Sequence, residues 1–218
     1  EKVLVRINEL AAITEEQGCV TRTYGTPAFV EGRSLVKKWM EAAGLQTTID
    51  TIGNVRGKLV CSTVNAKTFV IGSHIDTVVN AGKFDGPLGV IIGIDLLEQI
   101  IQTKTKLPFN IELIAFCDEE GVRFQTTFLG SKAVAGSFDK NILDKKDKNE
   151  ITLREAIHTI GGDANNIKED VIAADNWLGY FEIHIEQGPV LYKKNIPIAL
   201  VTAIAGQCRA AVTFTGVA

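Results

Sequence analysis

Two apolar runs constrain this chain most: residues 68–73 (TFVIGS) and residues 109–117 (FNIELIAFC). The first is continuously apolar and the second reads the same way, as expected of strands buried on both faces near the centre of a sheet. Helical periodicity surrounds them, over residues 3–17, 27–43 (stopped by Gly44), 87–102 (with Gly89 and Gly93 on a small-residue face), 128–135 and 153–160. Two further strands are predicted at 46–52 and 54–61, joined at the Gly53-Asn54 turn signal. A third sheet strand is predicted at 180–185, and a strand pair at 198–205 and 209–216 around Gly206-Gln207. Buried strands alternating with helices predict an α/β fold: a mixed, mainly parallel sheet with helices on both faces.

Composition narrows the function. A length of 218 residues suits one large domain or two small ones. With 23 Lys+Arg against 26 Asp+Glu, the net charge of -3 offers no electrostatic footprint for nucleic acid. The longest apolar run, 88–97, is interrupted by Asp95 and falls well short of a bilayer span. The N-terminus shows no basic region followed by an apolar stretch. Four widely spaced cysteines without a CxxC pair suit reduced thiols, which points to a cytoplasmic setting. The charged stretch 140–150 mixes both signs and reads as a solvated loop.

Three segments place polar groups where burial is costly without partners. At the end of the first run, His74 is followed two residues on by Asp76, which shares its face in extended chain and can orient the imidazole. Asp85 follows between Gly82 and Gly86, at the start of a helix. The plainer alternative is a strand-end histidine bonded to Asp76, with Asp85 as a helix N-cap. After the second run come Asp118, Glu119 and Glu120, which repel one another unless a cation or solvent neutralises them. Adjacent side chains diverge, so one glutamate can ligate a metal while the other acts on water as general base. A solvated acidic loop is the alternative there. In 181–189, period-2 alternation puts Glu182, His184 and Glu186 on one strand face; an edge strand with a polar outer face is the alternative. His158, on an amphipathic helix, reads as a surface residue.

In open α/β sheets, sites form at the carboxyl ends of the strands. That edge would gather His74, Asp76, Asp85, Glu119, Glu120 and His184. Imidazoles and carboxylates without thiolates favour zinc, manganese, cobalt or nickel. Two acids plus a bridging carboxylate exceed the needs of one ion, so two divalent ions and hydrolytic chemistry are expected.

The ordered segments GSHIDTVVNAGKFDGPLG (72–89), FCDEEGVRFQTTFLGSKAVAG (116–136), GYFEIHIEQGPVL (179–191) and AIAGQCR (203–209) carry a family likeness. They resemble the zinc-exopeptidase-like amidohydrolases, in the branch of allantoate amidohydrolases and N-carbamoyl-L-amino-acid amidohydrolases. The likeness runs from about Thr21 to the last residue. It implies that His74 and His184 hold one metal and Glu120 the other, with Asp85 bridging. It further implies that Asp76 orients His74, that Glu119 is the general base, and that a cis peptide follows Asp85. Arg209 would bind a substrate carboxylate, and Gln187 and Gln207 would contact a ureido group. The implied reaction is hydrolysis of a ureido C–N bond, with allantoate first and N-carbamoyl amino acids, ureidoglycolate or ureidoglycine as alternatives. The metals implied are zinc or manganese, with cobalt or nickel admissible.

The resemblance also implies that residues 1–218 are the N-terminal portion of a catalytic domain. A lid and dimerisation domain, and a C-terminal catalytic segment with the last histidine ligand, would follow. The second metal would then be incompletely ligated and the 218 residues alone inactive. The longer enzyme is expected to be a cytoplasmic homodimer acting on a small ureido substrate, without nucleic-acid or membrane partners. A dipeptidase or deacylase on the same scaffold is less favoured, because peptidases more often place an acid where His184 stands. An inactive metal-binding remnant is the reading outside enzymes.

Overall fold

The structure is a computed structural model that describes all residues except 205, 207–209, 211 and 217–218. It divides into two units, Glu1–Ile185 and Glu186–Ala218. The first unit holds helices α1 (Lys2–Ala11), α2 (Pro27–Ala42), α3 (Pro87–Gln102), α4 (Leu129–Val134) and α5 (Leu153–Thr159). Its strands are β1 (Gln46–Ile49), β2 (Val55–Leu59), β3 (Thr68–His74), β4 (Asn110–Phe116) and β5 (Trp177–Phe181).

The strand order is β1-β2-β4-β3-β5. Strand β3 runs parallel to both β4 and β5, whereas β1–β2 and β2–β4 are antiparallel. The sheet is therefore mixed, with a parallel half in β4-β3-β5. Alternation along the central strands supplies two apolar layers. Ile71, Leu113 and Ala115 join the main core with Ile91, Ile94 and Leu97 of α3. Val70, Ile114 and Phe116 pack on the opposite face with Val134 of α4. Helices thus cover both faces, as the apolar runs require.

Local signals explain the element boundaries. Thr26 caps α2 by accepting a hydrogen bond from Phe29 N at 3.2 Å, and Pro27 starts the helix. Thr152 and Glu155 form a capping box on α5. The β1–β2 hairpin closes where Asp50 Oδ1 accepts from Gly53 N and Asn54 N at 3.0 and 2.8 Å, with Gly53 at φ +106. Helix α3 spans the predicted 87–102, and Gly93 lets it lie against Leu113, whose Cδ1 stands 2.6 Å from where a Cβ would be.

Several expectations are corrected. Helix α1 ends at Ala11 rather than residue 17, because Thr14 Oγ1 accepts from Thr21 N and Gly18 at φ +85 turns the chain back. Strand β5 covers Trp177–Phe181, not 180–185: the polar alternation continues past Phe181, but pairing with β3 stops at Ile71, three residues before β3 itself ends. The stretch 140–150 is only partly a solvated loop. Lys140–Asp144 is a 3₁₀ turn, and Asp147 is buried against Arg123 at 2.8 Å.

The second unit contains α6 (Val190–Lys194). The described residues of 198–216 form no strand, against the predicted pair. Ile198, Leu200, Ile204 and Phe214 are all more than 80% exposed, and a lone hairpin is marginal in water without a surface to pack on. Among the described residues, no helix is long and apolar enough to cross a membrane.

Burial, aided by nearby Asp170, raises the Asp50 carboxyl to about 6, despite its hydrogen bonds from Asn54. Its unfolded value is near 3.9. The folded state therefore holds this proton more tightly, and stability present below about pH 4 is lost as pH rises through about 6. Between pH 4 and pH 7, wild type should lose about 2 kcal/mol more unfolding free energy than Asp50→Asn. Urea denaturation at both pH values checks this, and equal losses in the two proteins would refute it.

Candidate metal centre

Parallel pairing brings three strand ends to one edge. His74 ends β3 opposite Phe116, the last residue of β4, and Ile71 lies opposite Phe181, the last residue of β5. The chain leaves β3 into Ile75 and Asp76, β4 into residues 117–121, and β5 into residues 182–185.

Missing side-chain atoms make this edge dense. A Cβ on Gly86 would sit 2.5 Å from the His74 ring, and Gly86 also takes φ +83 to start α3. A Cβ on Gly89 would lie 2.1 Å from the carbonyl oxygen of Ile183, the residue before His184. The two glycines therefore admit both histidines to the first turn of α3.

Each imidazole is tied by Nδ1 to a backbone carbonyl, His74 to Asp76 O at 3.0 Å and His184 to Ile185 O at 3.1 Å. Donation from Nδ1 leaves Nε2 as the lone-pair nitrogen. Asp85 Oδ1 lies 4.0 Å from His74 Nε2 and 3.3 Å from His184 Nε2. The two rings stack with centroids 5.8 Å apart. Glu119 Oε2 stands 4.0 Å from His74 Nε2, and His74, Glu119 and Glu120 form a second group of converging donors.

This donor set fits a divalent ion. Zinc-type bonds of about 2.0–2.2 Å place tetrahedral donors about 3.3–3.6 Å apart. The observed 3.3 Å falls within that spacing and 4.0 Å lies a few tenths of an ångström above it. The nearby thiol does not compete: Cys117 is fully buried, with Sγ 3.4 Å from Ile52 O. A concavity of about 990 Å³ lined by Arg154, His158 and Asp163 shares no residue with this cluster, and His158 is exposed as expected. Donor geometry, not cavity size, marks the site.

Asp76 meets His74 mainly through its main chain. Its carboxylate is 3.7 Å from His74 Nδ1, and the closer contact to the imidazole is its main-chain carbonyl. Its carboxylate oxygens instead accept from Glu119 N at 3.0 Å and Glu120 N at 3.1 Å. Asp76 thus ties the His74 loop to the acidic loop. That loop is further pinned where Phe128 N, Leu129 N and Gly130 N donate to the carbonyls of Glu119, Asp118 and Cys117. Asp118, Gln125 and Phe128 adopt positive φ of +46, +52 and +63, strained backbone of the kind that accompanies functional loops.

The electrostatics follow from crowding. Burial raises the Glu119 carboxyl, with Asp76 and Glu182 adding to it and the histidines opposing. Burial likewise raises Glu120, aided by Glu119 and Asp85. For His74 burial disfavours the imidazolium, but Asp76, Glu119 and Glu120 outweigh it and hold the group above its ordinary value. Such a concentration of negative charge is what a divalent ion relieves.

The peptide after Asp85 is trans, since no cis peptide occurs among the described residues; Gly86 makes the turn with its positive φ instead. Gly86, not Asp85, is the N-cap of α3. Glu182 and His184 lie beyond the end of β5 rather than on its face, and Glu186 falls in the second unit, where its Oε1 accepts from Leu191 N. Gln187 also belongs to the second unit. Gln207 and Arg209 lie outside the described residues. Sequence reasoning missed Tyr180, whose hydroxyl donates to Glu182 Oε2 at 2.7 Å and whose ring sits over Gly72. Their i, i+2 spacing was the available signal.

A parallel α/β layer whose carboxyl edge gathers two histidines and several acids defines a candidate divalent-metal centre. The chain belongs to peptidase family M20/M25/M40, whose profile matches residues 70–216. It is 42% identical to allantoate deiminase 2 of Glycine max, over 99% of this chain and 46% of the relative. It is 39% identical to an N-carbamoyl-L-amino-acid amidohydrolase of Pseudomonas sp. (strain NS671), over 94% of this chain and 50% of the relative. The crystal structure of AtUAH in complex with (S)-hydroxyglycine superposes with a TM-score of 0.81 at 29% identity, over 88% of this chain and 47% of that one. The chain therefore spans about half the length of the curated relatives it matches.

Alanine is favoured over glycine inside helices by about 0.5–1 kcal/mol. At position 89 the sign should reverse, because the new Cβ meets the Ile183 carbonyl. Gly89→Ala is expected to lower unfolding free energy by about 1–3 kcal/mol. Chemical denaturation that finds the variant as stable as wild type, or more so, would contradict the close approach.

Proposed function

We propose that this chain is the N-terminal part of the catalytic domain of a metal-dependent amidohydrolase that cleaves a ureido C–N bond. The observation that carries the reading is the convergence of His74 Nε2, His184 Nε2 and Asp85 Oδ1, with Glu119 and Glu120 alongside. His74, His184 and Asp85 would hold one divalent ion, zinc or manganese. Asp85 would be shared with a second ion, to which Glu120 contributes. Bound there, the ions supply a Lewis acid for the ureido carbonyl and lower the pKa of water.

The chain's own residues do the rest. Glu119, partly exposed and with its carboxyl raised by burial, takes the proton from the attacking water and delivers it to the departing nitrogen. Asp76 positions Glu119 and Glu120 through their backbone amides. Arg209 is assigned to a substrate carboxylate, because a guanidinium offers a fixed bidentate fork, and Gln187 and Gln207 to the ureido group.

Allantoate is the substrate we favour, since the matched relatives at 40–42% identity are named allantoate deiminases. N-carbamoyl-L-amino acids form the second reading, supported by the relative at 39%. The complete enzyme is proposed to continue into a lid domain through which it dimerises, and to work in the cytoplasm.

Zinc and manganese titrations of the 218-residue chain test the ligands. His184→Ala should weaken binding at least ten-fold, whereas Glu119→Gln should leave affinity within a few-fold of wild type. Undiminished binding by His184→Ala would falsify the ligand assignment. In the full-length enzyme, Glu119→Gln should lower kcat by about 10²–10⁴. Relative kcat/KM for allantoate and an N-carbamoyl amino acid decides between the two substrates.

A further inference from the structure

We infer that residues 20–22 act as a splint that sets the span between His74 and Asp85, with Arg22 as a positioning residue for the metal centre. The inference rests on the ligand reading proposed above. The observation behind it is a run of hydrogen bonds along the connection from His74 to Asp85, all made by one short segment.

Arg22 Nε donates to Ile75 O at 2.8 Å, one residue beyond His74. Arg22 N donates to Thr77 Oγ1 at 2.8 Å, and Thr77 N returns a bond to Arg22 O at 3.1 Å. Further along, Asn80 N donates to Thr21 Oγ1 at 3.0 Å and Ala81 N to Val20 O at 2.8 Å. Positions 75, 77, 80 and 81 are thereby fixed between the two ligands.

The splint is itself anchored. Arg22 Nη1 donates to Leu10 O at 2.9 Å, which also accepts from Ile13 N, and to Ile13 O at 3.0 Å, carbonyls at and beyond the end of α1. A cation at a helix C-terminus is also favoured by the helix dipole. Thr21 N donates to Thr14 Oγ1, and Glu15 N to Thr21 O. On the other side, Gly32 of α2 leaves room for the Arg22 stem, whose Cδ lies 2.7 Å from where a Cβ would stand.

Arg22 is 1% exposed, and a guanidinium is costly to bury for packing alone. Burial lowers it to about 10, while the Asp76 carboxylate pulls the other way. Because Asp76 holds the amides of Glu119 and Glu120, movement of the splinted connection would reach both groups of donors.

The test uses Arg22→Met and Thr77→Val in the 218-residue chain, with His74→Ala as reference. Zinc affinity is read by competition with a chromophoric chelator, and ligand geometry by the visible absorption of the cobalt(II) form. Arg22→Met and Thr77→Val are each expected to weaken zinc binding about ten-fold or more and to shift the cobalt bands. Far-UV circular dichroism checks folding, and if Arg22→Met does not fold, Thr77→Val decides. A folded Thr77→Val with lowered urea midpoint but wild-type affinity and cobalt spectrum overturns the inference, leaving a merely structural contact. If His74→Ala itself binds zinc like wild type, the ligand reading fails instead.

Discussion

The parallel pairing of β3 with both β4 and β5 is the constraint on which the rest depends. Parallel strands leave the sheet on the same edge, so residues distant in sequence arrive side by side. His74 and the acidic segment meet there because β3 and β4 end level, and His184 joins them because the chain leaving β5, which ends three residues earlier, runs on through residues 182–185. Strands β3 and β4 are covered on both faces, which the apolar layers of α3 and α4 provide, whereas β5 at the sheet edge stays largely exposed. Without that cover the parallel half would expose its apolar faces.

Space at this edge is made by glycine. Gly72 receives the rings of Phe116 and Tyr180, Gly86 receives His74, and Gly89 receives the Ile183 carbonyl. Polar groups brought so close require partners, and they share them economically. The Asp76 main chain holds one imidazole while its side chain holds two amides of the neighbouring loop. Strain at Asp118, Gln125 and Phe128 persists because these bonds over-determine the acidic loop.

Much of the fold was legible, for identifiable reasons. Helix α3 is bounded as predicted because Pro87 marks its start. Strands β3 and β4 follow their apolar runs to within a residue or two at each end. Strand β5 was misjudged because polar alternation persists through Glu182 and His184, whereas its pairing with β3 stops at Phe181. The predicted pair within 198–216 failed similarly: its residues have strand propensity, but the described ones show no surface to pack on. Arg22 was unreadable as a site element. In the sequence Thr21-Arg22-Thr23 it looks solvated, and only the closing of α1, α2 and the His74 connection around it reveals burial.

The sequence by itself determined which imidazole and carboxylate groups gather at this edge, because they stand at the ends of apolar strands. It also determined the α/β class, since period and apolarity are local properties. Tertiary structure alone decided which atom faces which. The choice of Nε2 over Nδ1 at both histidines, the turn of the Asp76 carboxylate toward Glu119 and Glu120, and the trans peptide after Asp85 all depend on backbone groups contributed by other segments. Those groups are placed by packing, and packing distances are not written in any local stretch of sequence.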